Sequence, residues 1–361
     1  MPIKIGRMNM NILLTCAGRR NYIVDYFREA LAGTGGKVYA ANSTGDSTAL
    51  IAAERGFIVP ALKDPGYIDA MIRLCHNYDI RAIIPLFDLE LPLLARASQR
   101  FADAGIFVLV SSMNVIEICN DKWRTQEFLR ANGIQTPPTF LNPDEAQAAV
   151  DNGDISFPLM IKPRWGMGSI ALQEAENEMD LCFLYDKVKR IIRKTYLATE
   201  SRQDPERDVL IQQKVSGEEY GLDVVNDLSG NYVTTFVKKK IAMRSGETDS
   251  ATTVDHAELR QLGQHIAELL HHVGNLDMDV FVNETGLYVL ELNARFGGGY
   301  PFSHIAGANV PAAIIAWLQG TSCDPAWFKI SYGVTAYKGI SIMRSRDFDH
   351  IDSLLKEYSD T

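Results

Sequence analysis

The chain is poor in the features that mark specialised protein classes. Its 5 cysteines, Cys16, Cys75, Cys119, Cys182 and Cys323, are odd in number and scattered, with no CxxC pair and no Cys/His zinc spacing. A disulfide framework and a structural zinc site are therefore not expected, and the thiols read as reduced. No apolar run approaches the roughly 20 residues that span a bilayer. The stretch from Asn11 to Ala17 runs straight into Arg19 and Arg20 without the apolar core of a signal peptide, so the expected location is cytoplasmic. Positive charge is also scarce, with 36 Lys and Arg against 45 Asp and Glu and a net charge of −9. Nucleic-acid binding needs concentrated positive charge and is not expected; any phosphate must be held by locally clustered Lys and Arg. Internal repeats and low-complexity segments are missing, which disfavours solenoids and disordered linkers. The first strand-to-helix turn, Cys16-Ala17-Gly18-Arg19-Arg20, has a single glycine where a dinucleotide-binding protein would carry GxGxxG. Pyrophosphate approach depends on those glycines, so a nicotinamide dehydrogenase is a weak reading.

What is present is the composition of a globular protein, and 361 residues suggest two or three domains. From Asn11 to about Asn120, short apolar runs alternate with amphipathic stretches: NILLTC, RNYIVDYFREAL, KVYAA, YIDAMIRLCHNY, RAIIPL, LELPLLARASQRF and IFVLV. That alternation predicts a parallel α/β sheet. Asp121 is placed to cap the helix KWRTQEFLRANG, which Gly133 ends. FPLMIKPRWGMGSIAL predicts a strand, a glycine-containing loop and a second strand. A charged amphipathic helix follows from Glu174 to Lys194, with Leu181, Leu184, Val188 and Ile191 as its core stripe. VLIQQKV, EYGLDVVND, NYVTTFVKKK, a helix from Ala257 to Val273 and the paired runs NLDMDVFVN and GLYVLELNA form an α+β lobe, with Asn283-Glu284-Thr285-Gly286 as a hairpin turn. GVTAYKGISIM in the terminal piece reads as a strand.

The strongest chemical constellation is Asp279, Glu291 and Asn293. Glu291 and Asn293 are two apart on a strand and share a face, and a hairpin partner presents Asp279 beside them. Oxygen donors on one sheet face suit Mg²⁺, which takes carboxylates together with phosphates and water. Arg295 continues the alternation, and its planar fork can balance a phosphate or acyl-phosphate oxygen. The plainer alternative is an exposed polar strand face, weakened by the interruption of an apolar strand by Glu-x-Asn-x-Arg before Gly297-Gly298-Gly299. Lys162 ends the strand LMI before Arg164-Trp165-Gly166-Met167-Gly168-Ser169, where backbone N–H groups can cover phosphates; an ordinary hairpin with a snorkelling lysine is the alternative. Lys122 opens the earlier helix. In VLIQQKV the backbone of Gln213 and Val215 could meet an adenine edge, and Glu219 in SGEEYG could accept from ribose hydroxyls.

In this order the segments resemble the ATP-grasp superfamily, and within it short proteins similar to one synthetase unit of the carbamoyl-phosphate synthase large subunit. The resemblance rests on CAGRR, IIPLFDLEL, DKWRTQEFLRANGIQTP, FPLMIKPRWGMGS, IQQKVSGEEYGLDVV, RSGET and DVFVN…LYVLELNARFGGGYP. It implies an α/β and α+β architecture: a Rossmann-like parallel sheet over 1–118, an ATP-grasp N-lobe over 119–205, a C-lobe with the metal site over 206–320, and an extension over 321–361. It implies ATP phosphate contacts from Lys122 and Lys162, a covering loop of Gly166, Gly168 and Ser169, and an adenine pocket from Gln212, Gln213, Lys214 and Val215. It further implies ribose binding by Glu219, Mg²⁺ or Mn²⁺ on Asp279, Glu291 and Asn293, and catalytic contacts from Arg295, Lys162 and Arg244. Two departures from the family pattern are Gln212, where many relatives carry an acidic residue, and Asp279, where Gln or Glu is frequent.

The implied reaction is ATP-dependent activation of a small-molecule carboxylate as an acyl phosphate and its joining to an amine, with ADP and phosphate released. Carboxylation or carbamoyl-phosphate chemistry is the enzymatic alternative; a non-catalytic nucleotide-binding regulatory protein is the other. A homodimer is the assembly expected on general grounds. On the acceptor side, Lys238, Lys239, Lys240, Arg244 and Glu247 fall where relatives place substrate contacts, although KKK also reads as a solvated strand end. Arg19, Arg20, Asp88 and Glu90 fall at the carboxyl edge of the first sheet, where such sheets bind ligands, with helix-start solvation as the plainer reading of Asp88. His271 and His272 end a helix, where imidazolium is favoured.

Overall fold

The computed structural model describes residues 10–351. The first unit follows the expected alternation: β1 (Asn11–Thr15), α1 (Asn21–Ala30), β2 (Val38–Asn42), α2 (Thr48–Ala52), β3 (Gly56–Ile58), α3 (Tyr67–Asn77), β4 (Ile80–Pro85), α4 (Leu91–Asp103), β5 (Phe107–Val108) and α5 (Met113–Asn120). Then come α6 (Lys122–Ala131), β6 (Thr139–Phe140), α7 (Pro143–Asp151), β7 (Leu159–Pro163), β8 (Gln173–Ala175) and α8 (Glu178–Ile192). The remainder is β9 (Val209–Gln213), β10 (Glu218–Asn226), β11 (Tyr232–Arg244), β12 (Glu247–Thr253), α9 (Ala257–Leu270), β13 (Gly274–Asn283), β14 (Gly286–Asn293), α10 (Tyr300–Ile305), α11 (Val310–Gln319), β15 (Thr335–Tyr337) and β16 (Asp349–His350).

Three sheets result. The parallel one has the order β16-β3-β2-β1-β4-β5, a four-stranded one runs β6-β9-β7-β8, and an antiparallel one runs β14-β13-β10-β11-β12-β15. Their apolar faces are covered by helices: Ile23, Val24 and Phe27 of α1 pack on the parallel sheet, and Leu259, Ile266 and Leu270 of α9 on the antiparallel one. The terminal piece serves two sheets, because β15 extends the antiparallel sheet and β16 extends the parallel one. Among the described residues no helix is long and apolar enough to cross a membrane.

Local chemistry sets the boundaries. Asp121 caps α6 by accepting from the N–H groups of Trp123 and Arg124, and Gly133 follows at φ +69. Asn283 Oδ1 accepts from the N–H of Thr285 at 2.9 Å inside the expected hairpin turn. The strand after the glycine loop is Gln173–Ala175 rather than SIAL, since Ser169 and Ala171 take positive φ values of 56 and 57 that no strand accommodates. In α8 the buried stripe is Leu181, Tyr185, Val188 and Ile192, so Tyr185 and Ile192 replace the expected Leu184 and Ile191. The Tyr185 hydroxyl donates to the Leu141 carbonyl at 3.1 Å, which lets a phenol be buried there.

The histidine expectation is corrected. α9 stops at Leu270, and His272 is fully buried, with Nδ1 3.4 Å from Asn226 Nδ2 and Nε2 3.1 Å from the Val224 carbonyl. A neutral ring accepting from the amide and donating to the carbonyl satisfies both contacts. Burial lowers its pKa from 6.5 to about 4. The unfolded chain then binds a proton near pH 6.5 that the native chain refuses until about pH 4, so stability present above 6.5 is lost as pH falls through that window. We predict a loss of about 3 kcal/mol from this group, measured by denaturant unfolding across the window. His272→Gln should flatten the dependence, and a variant with the wild-type pH slope would contradict this origin.

Candidate active site

The four-stranded and antiparallel sheets face each other across a cavity of roughly 390 Å³. Its wall holds Lys122, Lys162, Gly166, Gly168, Ser169, Gln212, Gln213, Lys214, Val215, Glu219, Asp279 and Glu291, so most of the expected nucleotide residues meet in one place. An adjoining cavity of roughly 320 Å³ shares Lys122, Trp165, Gly166 and Glu291 and adds Asp88 and Asn293.

The antiparallel register of β13 and β14 sets Asp279 directly opposite Glu291 and Asp277 opposite Asn293. Asn293 Nδ2 lies 3.5 Å from Glu291 Oε1. Lys122 Nζ is 4.0 Å from Glu291 and also donates to the Gly166 carbonyl, which ties the start of α6 to the glycine loop. Burial acts to raise the Glu291 pKa, but Lys122, Lys162 and Lys240 outweigh it and hold Glu291 below its ordinary value. Asp279 behaves oppositely: burial raises it to about 7, with Asp277 and Glu291 adding to the rise against the pull of Lys240. Lys162 is lowered to about 8, by burial first and then by Lys122. These are the perturbations expected where like charges are gathered in a cleft.

Several expectations change on contact with this geometry. KKK is not a solvated strand end. Lys238 is fully buried and donates to Asp223 at 2.7 Å, and Lys240 bridges Glu219 at 2.7 Å and Asp279 at 2.6 Å, while Lys239 pairs at the surface with Glu218. Strand alternation sends the outer two lysines to one face. Glu219 and Asp279 are thus already joined through Lys240. Gln212 does not merely line the pocket: its Oε1 accepts from Lys162 at 2.7 Å and its Nε2 donates to Thr139 at 2.8 Å, tethering the lysine. The N–H of Gln213 is committed to the Pro138 carbonyl at 2.9 Å, so that group is not available to an adenine edge.

Arg295 lies beyond the end of β14 and is buried. Its Nε and Nη2 donate to Asp88 Oδ2 at 3.0 and 2.9 Å, and its Nη1 reaches Asp277 Oδ2 at 3.2 Å and the Phe296 carbonyl at 3.2 Å. The fork expected to embrace a ligand oxygen is therefore engaged by protein acceptors. Asp88, read as a solvated helix start, is instead buried as the partner of this arginine. Glu90 is buried as well, accepting from Thr15 at 2.8 Å and Tyr67 at 2.7 Å inside the parallel-sheet core rather than at a ligand edge. Arg244 is exposed and pairs with Asp249 at 2.8 Å, outside the cavity wall. Asp277 and the Asp121–Arg164 pair, at 2.7 Å, were missed. Asp277 shares the even-numbered spacing of Asp279, which was the available signal.

Comparison with known proteins places the fold in a family. Residues 12–109 match the family described as PylC-like, N-terminal domain, and residues 119–299, half of the chain, match the ATP-grasp domain family. The chain belongs to the ATP-grasp family. It is similar to the biotin carboxylase domain of 2-oxoglutarate carboxylase from Hydrogenobacter thermophilus, with 19% identity and a TM-score of 0.69 over 91% of this chain and 73% of that one. It is also similar to N5-carboxyaminoimidazole synthetase from Staphylococcus aureus, with 15% identity and a TM-score of 0.66 over 89% and 80% of the two chains. A third similar structure is L-amino acid ligase from Bacillus licheniformis, with 19% identity and a TM-score of 0.63 over 91% and 79%.

The glycine loop touches the turn between β11 and β12. A Cβ on Gly246, which has φ +78, would lie 2.5 to 2.9 Å from backbone atoms of Gly168. Gly246→Ala should therefore displace the loop and weaken nucleotide binding about tenfold, read by titration with ATP. Unchanged affinity in a folded variant would show that the contact does not hold the loop.

Proposed function

We propose that the chain is an ATP-dependent ligase that activates a small-molecule carboxylate as an acyl phosphate and joins it to an amine, releasing ADP and phosphate. The observation that carries this reading is the convergence of Lys122, Lys162, Glu291 and Asp279 on one cavity beneath the loop of Gly166, Gly168 and Ser169. Lysines matched to phosphates and carboxylates matched to a cation suit phosphoryl transfer, where catalysis is mainly positioning and charge stabilisation.

Among the described residues no three His, Cys, Asp or Glu side chains are grouped to hold a metal ion. Two opposed carboxylates with an amide beside one of them are a partial set of oxygen donors, which fits Mg²⁺ or Mn²⁺ completing its shell with phosphate oxygens and water. Asp279, Glu291 and Asn293 would hold the ion, which when bound neutralises the negative charge of the phosphates. Lys122 and Lys162 hold phosphate oxygens, with Gln212 keeping the Lys162 ammonium in place. Glu219 and the residues from Gln212 to Val215 hold the nucleoside. The glycine loop closes over the phosphates and excludes water, which protects an acyl phosphate from hydrolysis. Arg295 serves this site through its neighbours: locked between Asp88 and Asp277, it fixes Asp277 in the position opposite Asn293. The substrate carboxylate oxygen attacks the γ-phosphorus as ADP leaves; the amine lone pair then forms the C–N bond as phosphate departs with the C–O electrons and takes up the proton that the nitrogen sheds.

Mg²⁺-dependent release of ADP and phosphate that requires both carboxylate and amine is the expected result, and AMP with pyrophosphate would falsify the scheme. Glu291→Gln should lower kcat/KM on the order of a hundredfold or more while the protein stays folded, because a neutral amide holds the cation less strongly. Near-normal turnover with unaltered Mg²⁺ dependence would remove Glu291 from the metal site.

A further inference from the structure

A second cluster of charge lies at the carboxyl edge of the parallel sheet, outside the nucleotide cavity. Arg20 Nη2 is 3.8 Å from Glu247 Oε1, and Lys338 Nζ is 3.1 Å from Glu247 Oε2. The three residues come from distant parts of the chain: the turn after β1, the start of β12, and the stretch after β15. Lys338 lies beyond the residues matched to the ATP-grasp domain. It is brought in by backbone pairing, with its N–H donating to the Asp249 carbonyl at 2.8 Å.

Three features set this cluster apart from a surface ion pair. Arg20 is anchored, with Nη1 donating to the Leu86 carbonyl at 2.6 Å and lying 3.4 Å from the Phe296 carbonyl, next to Arg295 in the chain. Among the described residues, the ion pairs of Arg20 and Lys338 both end on the one carboxylate of Glu247, so the cluster carries a surplus positive charge. Finally, Glu247 sits against the glycine run: a Cβ on Gly298 would lie 3.3 to 3.4 Å from its side chain, whereas Gly297 faces Asp277 and Gly299 faces Lys238. The run therefore leads from the Arg295 network directly to Glu247. Tyr22, whose hydroxyl is buried without a hydrogen-bond partner, adjoins the cluster, with Lys338 Nζ 6.0 Å from the centre of its ring.

We infer that Arg20, Glu247 and Lys338 form the acceptor subsite and that the amine substrate carries its own carboxylate, as an amino acid does. Arg20 and Lys338 take the carboxylate, and Glu247 accepts from the amine N–H groups. With its amine in the unprotonated form that attack requires, an amino acid carries a net charge of −1, which offsets the surplus positive charge of the cluster, while its N–H groups donate to Glu247. The inference rests on the ligase reading and adds the class of amine to it.

The test compares amino acids with the amines that lack their carboxylate, glycine against methylamine and L-alanine against ethylamine, across a panel of small carboxylates, following ADP release and product mass. Hydroxylamine serves as a separate nucleophile that traps an acyl phosphate as hydroxamate. Wild-type enzyme should prefer the amino acid by about tenfold or more in kcat/KM. Lys338→Met should raise the KM for the amino acid by a similar factor with the KM for ATP moving less than about twofold, and Lys338→Arg should restore it. Equal use of glycine and methylamine, or an unchanged amino-acid KM in Lys338→Met, overturns the subsite. Absence of hydroxamate with every carboxylate instead contradicts the ligase reading itself, so the two failures are distinguishable.

Discussion

The site depends on burying charges of both signs close together, each set against an opposite one. Glu291 is held by Lys122 and Lys162, Asp279 and Glu219 are joined by Lys240, Asp277 and Asp88 share Arg295, and Asp223 holds Lys238. Removing charges from water costs several kcal/mol per ion, and pairing roughly recovers it at best. Stability is thus a poor reason for such a network. Its physical effect is to keep fixed charges in place before a polyanionic ligand arrives, so little reorganisation is needed when the reaction moves negative charge.

The architecture around the network follows from that requirement. Strand alternation on β10, β11, β13 and β14 delivers acidic and basic side chains to one face, while the opposite face carries Leu222, Val224, Leu276 and Met278 into the core beneath α9. The glycine run 297–299 passes the charged groups with no side chain of its own. A Cβ at Gly297 would fall 2.1 Å from Asp277, and one at Gly299 would fall 2.6 Å from Lys238. Glycine there is a matter of space rather than of backbone conformation, since no left-handed φ is recorded at these three residues.

Most of the fold was legible because its signals are local. The parallel sheet showed as alternating apolar and amphipathic stretches, and the hairpin of β13 and β14 as two apolar runs around Asn-Glu-Thr-Gly. Short elements escaped: β3 and α2 span three and five residues, too few for a period to register. Of the site, the residues sharing a strand face were readable, since a spacing of two fixes their direction. What could not be read was partnership across the chain. Asp88 and Arg295 are separated by 207 positions yet bond at 2.9 Å, and nothing near Asp88 distinguishes it from a solvated helix start. The same holds for Lys240 of β11, which meets Glu219 of the adjacent β10 and Asp279 of β13 beyond it. Arg244 owes its place among the candidates to the family resemblance alone; at the end of β11 its side chain is exposed and pairs with Asp249.

The central claim is that a carboxylate oxygen becomes bonded to the γ-phosphorus inside this cavity. Supplying the accepted carboxylate with heavy-oxygen label and analysing the released phosphate tests that bond directly. The account predicts that the phosphate carries one labelled oxygen from the carboxylate for each amide formed, and that the label fails to transfer when Mg²⁺ is withheld. Unlabelled phosphate alongside normal product would contradict it, since the acyl group would then have been activated without an acyl phosphate.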